Sequence, residues 1–491
     1  MRLHPWMTAA LGLIAASLAP AAPARPKGLD AAELAAACRK VIAAPALKRA
    51  RVSVAVADLA TGTWLAEHGA DLLCTVASNN KLATTAAALD LLGPDFEFRT
   101  TVAAVGKTHG KVLHGDLLVI GRGDPSISGR FHGGNPTAVI EQWAQAVADA
   151  GIAEIRGGIL ADDSYFDRVH THPLWPKNQL SAWYAAEASA LSFNDNCILL
   201  VVRPAARRGA GAIATTVPKT DYVTLVNRAI TSRARLGKRA VAAHRALGRN
   251  QIQITGTIRE GDPPYTTWVT VHDPALFTAT VFRETLAAKG IRCGPPRLRT
   301  PTDHIEPRDV TEIITTTSTM GQAVAVANTR SQNFYAEQIL KTLGREKGRK
   351  GTWPAGAEVV EAFLRRAHVK GMFDYRDGSG LARANRFSAR QLCILLAYMH
   401  GHRHGDLYRR SLAEPGEPGT LEKRRALIPL KGKLRAKTGY IRAACALSGY
   451  LDTAGGRRIA FSFLINDFRC SLAAARAAQD KLCLTLADYA P

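Results

Sequence analysis

At 491 residues the chain is longer than one ordinary core requires, so two or three domains are expected. With 47% hydrophobic and 21% charged residues and no low-complexity tract, bulk disorder is excluded. The net charge of +23 implies anionic surroundings, but its lysines and arginines carry no zinc-finger spacing, basic-zipper heptad or RNA-reading aromatic motif, which sets nucleic acid aside as a partner.

In chain order, residues 1–24 have the layout of an export signal. Arg2 is followed by an apolar stretch over 7–19 and an Ala22-Pro23-Ala24 cleavage site, with Ala19-Pro20-Ala21 an equally legal one. About thirteen apolar residues are too few for a bilayer that needs roughly twenty, and no later stretch is apolar enough to anchor the chain after cleavage. An exported, periplasmic protein is expected. In an oxidising compartment the eight cysteines (38, 74, 197, 293, 393, 445, 470 and 483) permit disulfides; for Cys74 and Cys445, buried small hydrophobes are an equal reading.

A helix is expected within 25–50. Residues 52–57 alternate as a half-buried strand, turn through 60–63 and return over 64–68. The helix over 82–92 is apolar nearly all round, hence buried, and Gly93-Pro94 stops it. From residue 99 the character changes to short strands at 101–105, 112–120, 212–217, 251–258 and 268–271, with helices at 139–150 and 276–289. Segments 151–159 and 182–200 look ordered but have no assigned place. Helices return over 320–343, 355–367 and 388–400, followed by strands at 436–439, 444–451 and 459–465, a hairpin turn at 452–456 and a closing helix over 471–488. The fold expected is α+β: one helical layer on an antiparallel sheet, formed by 25–98 and 300–491, and split by a strand-rich insertion over 99–299.

Three short motifs carry the chemistry. Ser78 and Lys81 stand three apart at a helix start, on one face, where a lysine kept neutral by burial or by a nearby cation can deprotonate a serine. Ser331-Gln332-Asn333 offers a hydroxyl to pass that proton on and an amide to hold Lys81 and substrate. Lys437-Thr438-Gly439 offers a second cation that lowers the Lys81 pKa and attracts a carboxylate, a hydroxyl to bond it, and a glycine against which substrate can lie as an added strand. Backbone N–H groups of Ser78 and Tyr440 would form an oxyanion hole. Taken singly, each motif also reads as a helix cap or a basic strand end. In this order, on helix, helix start and strand, S-x-x-K, S-x-N and K-T-G form one set.

That set resembles the low-molecular-mass penicillin-binding proteins of the D-alanyl-D-alanine carboxypeptidase/endopeptidase (penicillin-binding protein 4) type. Further stretches share the resemblance: Gly115-Asp116-Leu117, Gly123-Asp124-Pro125, Leu191-Ser192-Phe193-Asn194-Asp195-Asn196, Asp377-Gly378-Ser379-Gly380-Leu381 and 416–421. So does the long interval between Lys81 and Ser331. The resemblance implies a β-lactamase/transpeptidase-like domain with an insertion. It implies hydrolysis of D-alanyl bonds in peptidoglycan peptide stems and cross-links through an acyl-enzyme on Ser78, with β-lactams as inhibitors and no metal or organic cofactor. Tyr440 departs from the pattern, which has Ser or Thr after K-T-G; losing that hydroxyl weakens carboxylate binding and favours endopeptidase action.

A β-lactamase or esterase on the same scaffold, and an idle wall-binding protein, are the alternatives; the long insertion argues against the first, the intact five-residue set against the second. Gly106-Lys107-Thr108 lacks the earlier glycine of a phosphate loop, and Gly378-Ser379-Gly380 lacks that of a nucleophile elbow. His400, His402 and His404 read as surface histidines and Asp162-Asp163 as a solvated acidic loop.

Overall fold

Along Arg51–Asp58, valines at 52, 54 and 56 alternate with Ser53, Ala55 and Ala57, and every residue from Val52 to Asp58 is buried. A strand buried on both faces needs a layer on each side. The computed structural model describes residues 28–233 and 240–491 and supplies both layers; the expected export signal at 1–24 lies outside the described residues. The half-buried strand and single helical layer expected above are therefore corrected.

The central sheet has five antiparallel strands, ordered Leu434–Ile441, Ala444–Asp452, Arg458–Asn466, Arg51–Asp58 and Trp64–His68. Its large side chains, among them Val54, Leu447, Phe461 and Phe463, pack with Leu34 and Cys38 of helix Ala31–Ile42 and Leu482 and Leu486 of helix Leu472–Ala487. Its small side chains, including Ala55, Ala446 and Ala460, face the other layer. They let Ala389–His400 lie directly on the sheet, and Lys81–Leu91, Met320–Thr329 and Asn333–Gly348 join the same core. Nine successive residues from Lys81 to Leu89 are buried, as an all-round apolar helix requires.

The helical character expected over 320–343 resolves into two helices, with the expected helix start at the S-x-N motif between them. Met320–Thr329 ends, Ser331 takes φ 58°, and Asn333–Gly348 starts afresh. This break presents the S-x-N motif at a helix start.

The chain leaves the helical layer on Glu97–His109 and returns on Val310–Thr319; the two are antiparallel partners from Glu97↔Thr319 to Val105↔Val310. The returning strand lies beyond the 99–299 span expected for the insertion and belongs to its seven-stranded sheet. Segment 151–159 finds its place there too, as Glu154–Ile155 leading to Ile159–Asp162, both parallel to Val112–Gly121. Helices Ala138–Asp149 and Pro274–Ala288 cover the sheet through Trp143 and Phe282. Two smaller sheets complete the region. Trp175, Leu180, Ala185, Ala186 and Ala188 pack into the helical core beside the central sheet instead, so the insertion is fastened to that layer. No helix among the described residues is long and apolar enough to cross a membrane.

All eight cysteines are free; six are buried and Cys293 and Cys470 are partly exposed. Burial pushes the Cys38, Cys74 and Cys293 thiols up to about 11. Cys74 and Cys445 are the buried small hydrophobes of the second reading. A thiol reagent at neutral pH should label at most Cys293 and Cys470 in folded protein and all eight after denaturation. Intact mass should not change on reduction.

Candidate active site

Ser78 lies in the single turn Ala77–Asn80, which feeds directly into helix Lys81–Leu91. The turn is pinned from two sides. Asn79 Nδ2 donates to Ser448 Oγ at 2.6 Å, which bonds Ser462 Oγ at 2.8 Å within the sheet. Asn80 Nδ2 donates to the Asp377 carbonyl at 2.5 Å. Ala77 is held at φ 47°, a left-handed conformation that costs about 1 kcal/mol or more in a non-glycine residue. Such strain beside a serine is a feature of built sites.

Lys81 is fully buried, and its Nζ has three neighbours: Ser78 Oγ at 3.1 Å, Asn333 Oδ1 at 2.7 Å and the Ser379 carbonyl at 2.8 Å. Burial lowers its pKa to about 7, while the charges of Glu337 and Asp377 pull it back up. A neutral amine has two N–H groups and one lone pair. The two carbonyl-type oxygens can only accept, so they take both N–H groups and leave the lone pair for the Ser78 hydroxyl.

Lys437 Nζ donates to Ser331 Oγ at 2.7 Å and to the Thr438 carbonyl at 2.9 Å. Burial, then the charge of Lys81, hold its pKa well below the usual lysine range. The expected lowering of the Lys81 pKa by Lys437 is corrected: burial lowers it, opposed by Glu337 and Asp377, and the repulsion acts on Lys437 instead. Asn333, opening its helix, spends Nδ2 on the Tyr184 carbonyl at 2.7 Å. The predicted residues Ser78, Lys81, Asn333, Ser331 and Lys437 are therefore linked in two hydrogen-bonded groups, and Thr438, Gly439 and Tyr440 line the same cleft.

Gly439 has a reason beyond the one expected. A Cβ there would stand 2.7 Å from the Val76 carbonyl and 3.1 Å from Asn79 Oδ1, so only glycine lets the edge strand press against the serine turn. Tyr440 is 47% exposed, with the Arg476 guanidinium 6.0 Å from its ring.

Two buried carboxylates were not anticipated. Glu337 accepts from Gly378 N, Ser379 N and Trp353 Nε1, and burial and Asp377 raise its pKa to about 7. Asp377 accepts from Gly380 N, Ala382 N, Asn385 Nδ2 and Trp175 Nε1. Together they hold the loop that offers its Ser379 carbonyl to Lys81. Gly380, at φ +82°, passes so close that a Cβ would lie 1.9 Å from the Ala77 carbonyl. The signal for Glu337 was its spacing: Asn333, Glu337 and Lys341 recur every fourth residue on one face, and all three are buried. Asp377 stood inside a recognised stretch without a role.

The cleft has a volume of about 990 Å³ and a cationic lining of Arg330, Arg383, Lys423, Arg424, Arg442 and Arg476, with no acidic side chain. It suits a substrate that carries carboxylates.

Residues 34–489 match the D-Ala-D-Ala carboxypeptidase 3 (S13) family. A D-alanyl-D-alanine carboxypeptidase of Actinomadura sp. (strain R39) is 33% identical over 462 residues, 91% of this chain and 83% of the relative. The D-alanyl-D-alanine carboxypeptidase DacB of Haemophilus influenzae is 22% identical over 412 residues, 82% of this chain and 83% of the relative. Among solved structures, penicillin-binding protein 4 of H. influenzae aligns with a TM-score of 0.79 and 19% identity, over 92% of this chain and 99% of that one. At that identity the likeness speaks for the fold.

Gly439→Ala tests the close approach of strand and turn. Overpacking against backbone should destabilise the protein by about 1–3 kcal/mol, read as a lower melting temperature, and should slow modification of Ser78 in the surviving folded fraction.

Proposed function

The chain belongs to the D-Ala-D-Ala carboxypeptidase 3 (S13) family, and on that premise we propose that it is an exported serine peptidase that hydrolyses D-alanyl bonds in peptidoglycan stems and cross-links. The observation that carries this reading is the Lys81 amine, fully buried and 3.1 Å from Ser78 Oγ, with Asn333 Oδ1 and the Ser379 carbonyl as its other partners. Burial lowers its pKa to about 7, so that a neutral amine is available to accept the serine proton.

Ser78 Oγ attacks the carbonyl carbon while its proton moves to Lys81 Nζ. The developing oxyanion is held by the backbone N–H groups of Ser78 and Tyr440, an arrangement worth several kcal/mol in acyl transfer. The C–N bond then breaks, and the proton returns to the leaving amine through Ser331, which Lys437 keeps oriented. Water cleaves the ester by the same route in reverse, giving its proton to Lys81 and restoring Ser78. Lys437, Thr438 and the cationic lining receive the substrate carboxylate, and no metal or organic cofactor enters these steps. A β-lactam ring offers the same serine a strained amide, so penicillin acylates it.

Tyr440 favours endopeptidase action as a second component. An exposed phenol beside Arg476 replaces a short hydroxyl where a terminal carboxylate would be bonded, and that contact matters less for a cross-link.

Mass analysis after incubation with penicillin should show the gain of one drug molecule on the wild type and none on Ser78→Ala. An adduct on the variant would remove Ser78 from the mechanism. The acidic limb of the acylation rate should have its midpoint near 7, because only the neutral amine accepts the proton and it forms as pH rises through that value. Glu337 raises the amine pKa, so Glu337→Gln should move that limb to lower pH; a limb that stays put would show that Glu337 carries no charge beside Lys81 over that range.

A further inference from the structure

A second recess of about 500 Å³ adjoins the catalytic cleft and shares Trp183 with it. This falls within the roughly 300–1,000 Å³ of small-molecule sites. Its walls carry Trp183, from the turn Trp183–Ala185, and Trp268, from the strand Tyr265–Thr270; both indoles are 43% exposed. Leaving two tryptophans half in water on adjoining elements forgoes apolar burial that a core would have collected.

Its remaining lining includes Arg130, Asp195 and Gln332. Arg130 bonds Asp195 Oδ2 at 2.5 Å, and Gln332 Nε2 donates to that same oxygen at 2.7 Å. Asp195 Oδ1 and Gln332 Oε1 have no hydrogen-bond partner. Asn194, Asp195 and Asn196 all take φ 53°, so three successive non-glycine residues are held left-handed where Asp195 meets Gln332. Asparagine and aspartate bear that conformation best, which gives the Leu191–Asn196 stretch a physical purpose.

The charge of Asp195 is matched by Arg130, so the recess has no net attraction for an ammonium group. It offers exposed indole surface together with neutral, mixed donors and acceptors. That combination suits a ring with an apolar C–H face and hydroxyl or acetamido groups at its rim. We propose that this recess is a carbohydrate subsite that takes an N-acetylated pyranose, the sugar ring lying against Trp268 and Trp183 with its polar rim toward Arg130, Asp195 and Gln332. The choice of a sugar attached to the peptide rests on the proposed peptidoglycan reading. Because Gln332 stands between Ser331 and Asn333, an occupied recess borders the S-x-N motif directly.

The test is a titration of the full chain with the β-1,4-linked trimer of N-acetylglucosamine, followed by saturation-transfer NMR and tryptophan fluorescence. The variants are Trp268→Ala and Trp268→Phe, and the penicillin adduct is measured on the same samples. Expected are binding to the wild type, a loss of at least about tenfold in affinity for Trp268→Ala, partial retention for Trp268→Phe, and an unchanged adduct in all three. No binding at millimolar trimer, equal binding by Trp268→Ala, or displacement of the trimer by a sugar-free stem peptide would each overturn the proposal. Failure of the wild type to form the adduct would instead count against the peptidase reading, independently of sugar binding.

Discussion

Burying one lysine amine is the constraint from which the rest of the site follows. An ammonium group taken out of water loses several kcal/mol of hydration, and the protein here answers with both available remedies. Burial drives Lys81 toward neutrality, while the buried Glu337 and Asp377 keep its charged form within reach, and the balance falls at about 7. The amine's hydrogen bonds go to Ser78, Asn333 and the Ser379 carbonyl rather than to either carboxylate. The carboxylates spend their acceptor capacity on backbone N–H groups and indoles of the 377–382 loop and its neighbours, and through that loop they deliver the Ser379 carbonyl to Lys81. The same groups thus tune the Lys81 amine and build its support.

The three motifs were legible because their chemistry is written in fixed short spacings. One helical turn from Ser78 to Lys81 survives any long-range folding, and order along the chain supplied the rest. The carboxylates were not legible in that way, since a glutamate in a helix such as Asn333–Gly348 ordinarily faces solvent; only tertiary packing turns Glu337 inward. The helix start at the S-x-N motif was legible, but the backbone turn that makes it was not: Ser331 at φ 58° bonds Lys437, a partner 106 positions away. The second helical layer was obscured because alternating valine and alanine suits a half-buried strand as well as one whose small side chains meet helices.

The inserted region is less separable than its change of composition implied. Trp175 donates to Asp377, the Tyr184 carbonyl receives Asn333, and Gln332 bonds Asp195. Each is a hydrogen bond from the region between the two halves of the peptidase to a residue that supports or belongs to the site. Segment 182–200, which the sequence left without a place, proves to be the border between cleft and recess. Its backbone carbonyls and strained asparagine and aspartate residues carry no periodicity by which it could have been recognised.

The central sheet joins strands from both ends of the chain, with Arg51–Asp58 lying against Arg458–Asn466, and Thr75 N bonded to Asn466 Oδ1 across 391 positions. Until the later strands of that sheet are in place, the turn that carries Ser78 lacks both Gly439, against which it packs, and Ser448, which bonds Asn79 from 369 positions away. The short serine motif is therefore only half of its own pocket; the other half is the closure of a sheet whose strands lie far apart in the chain.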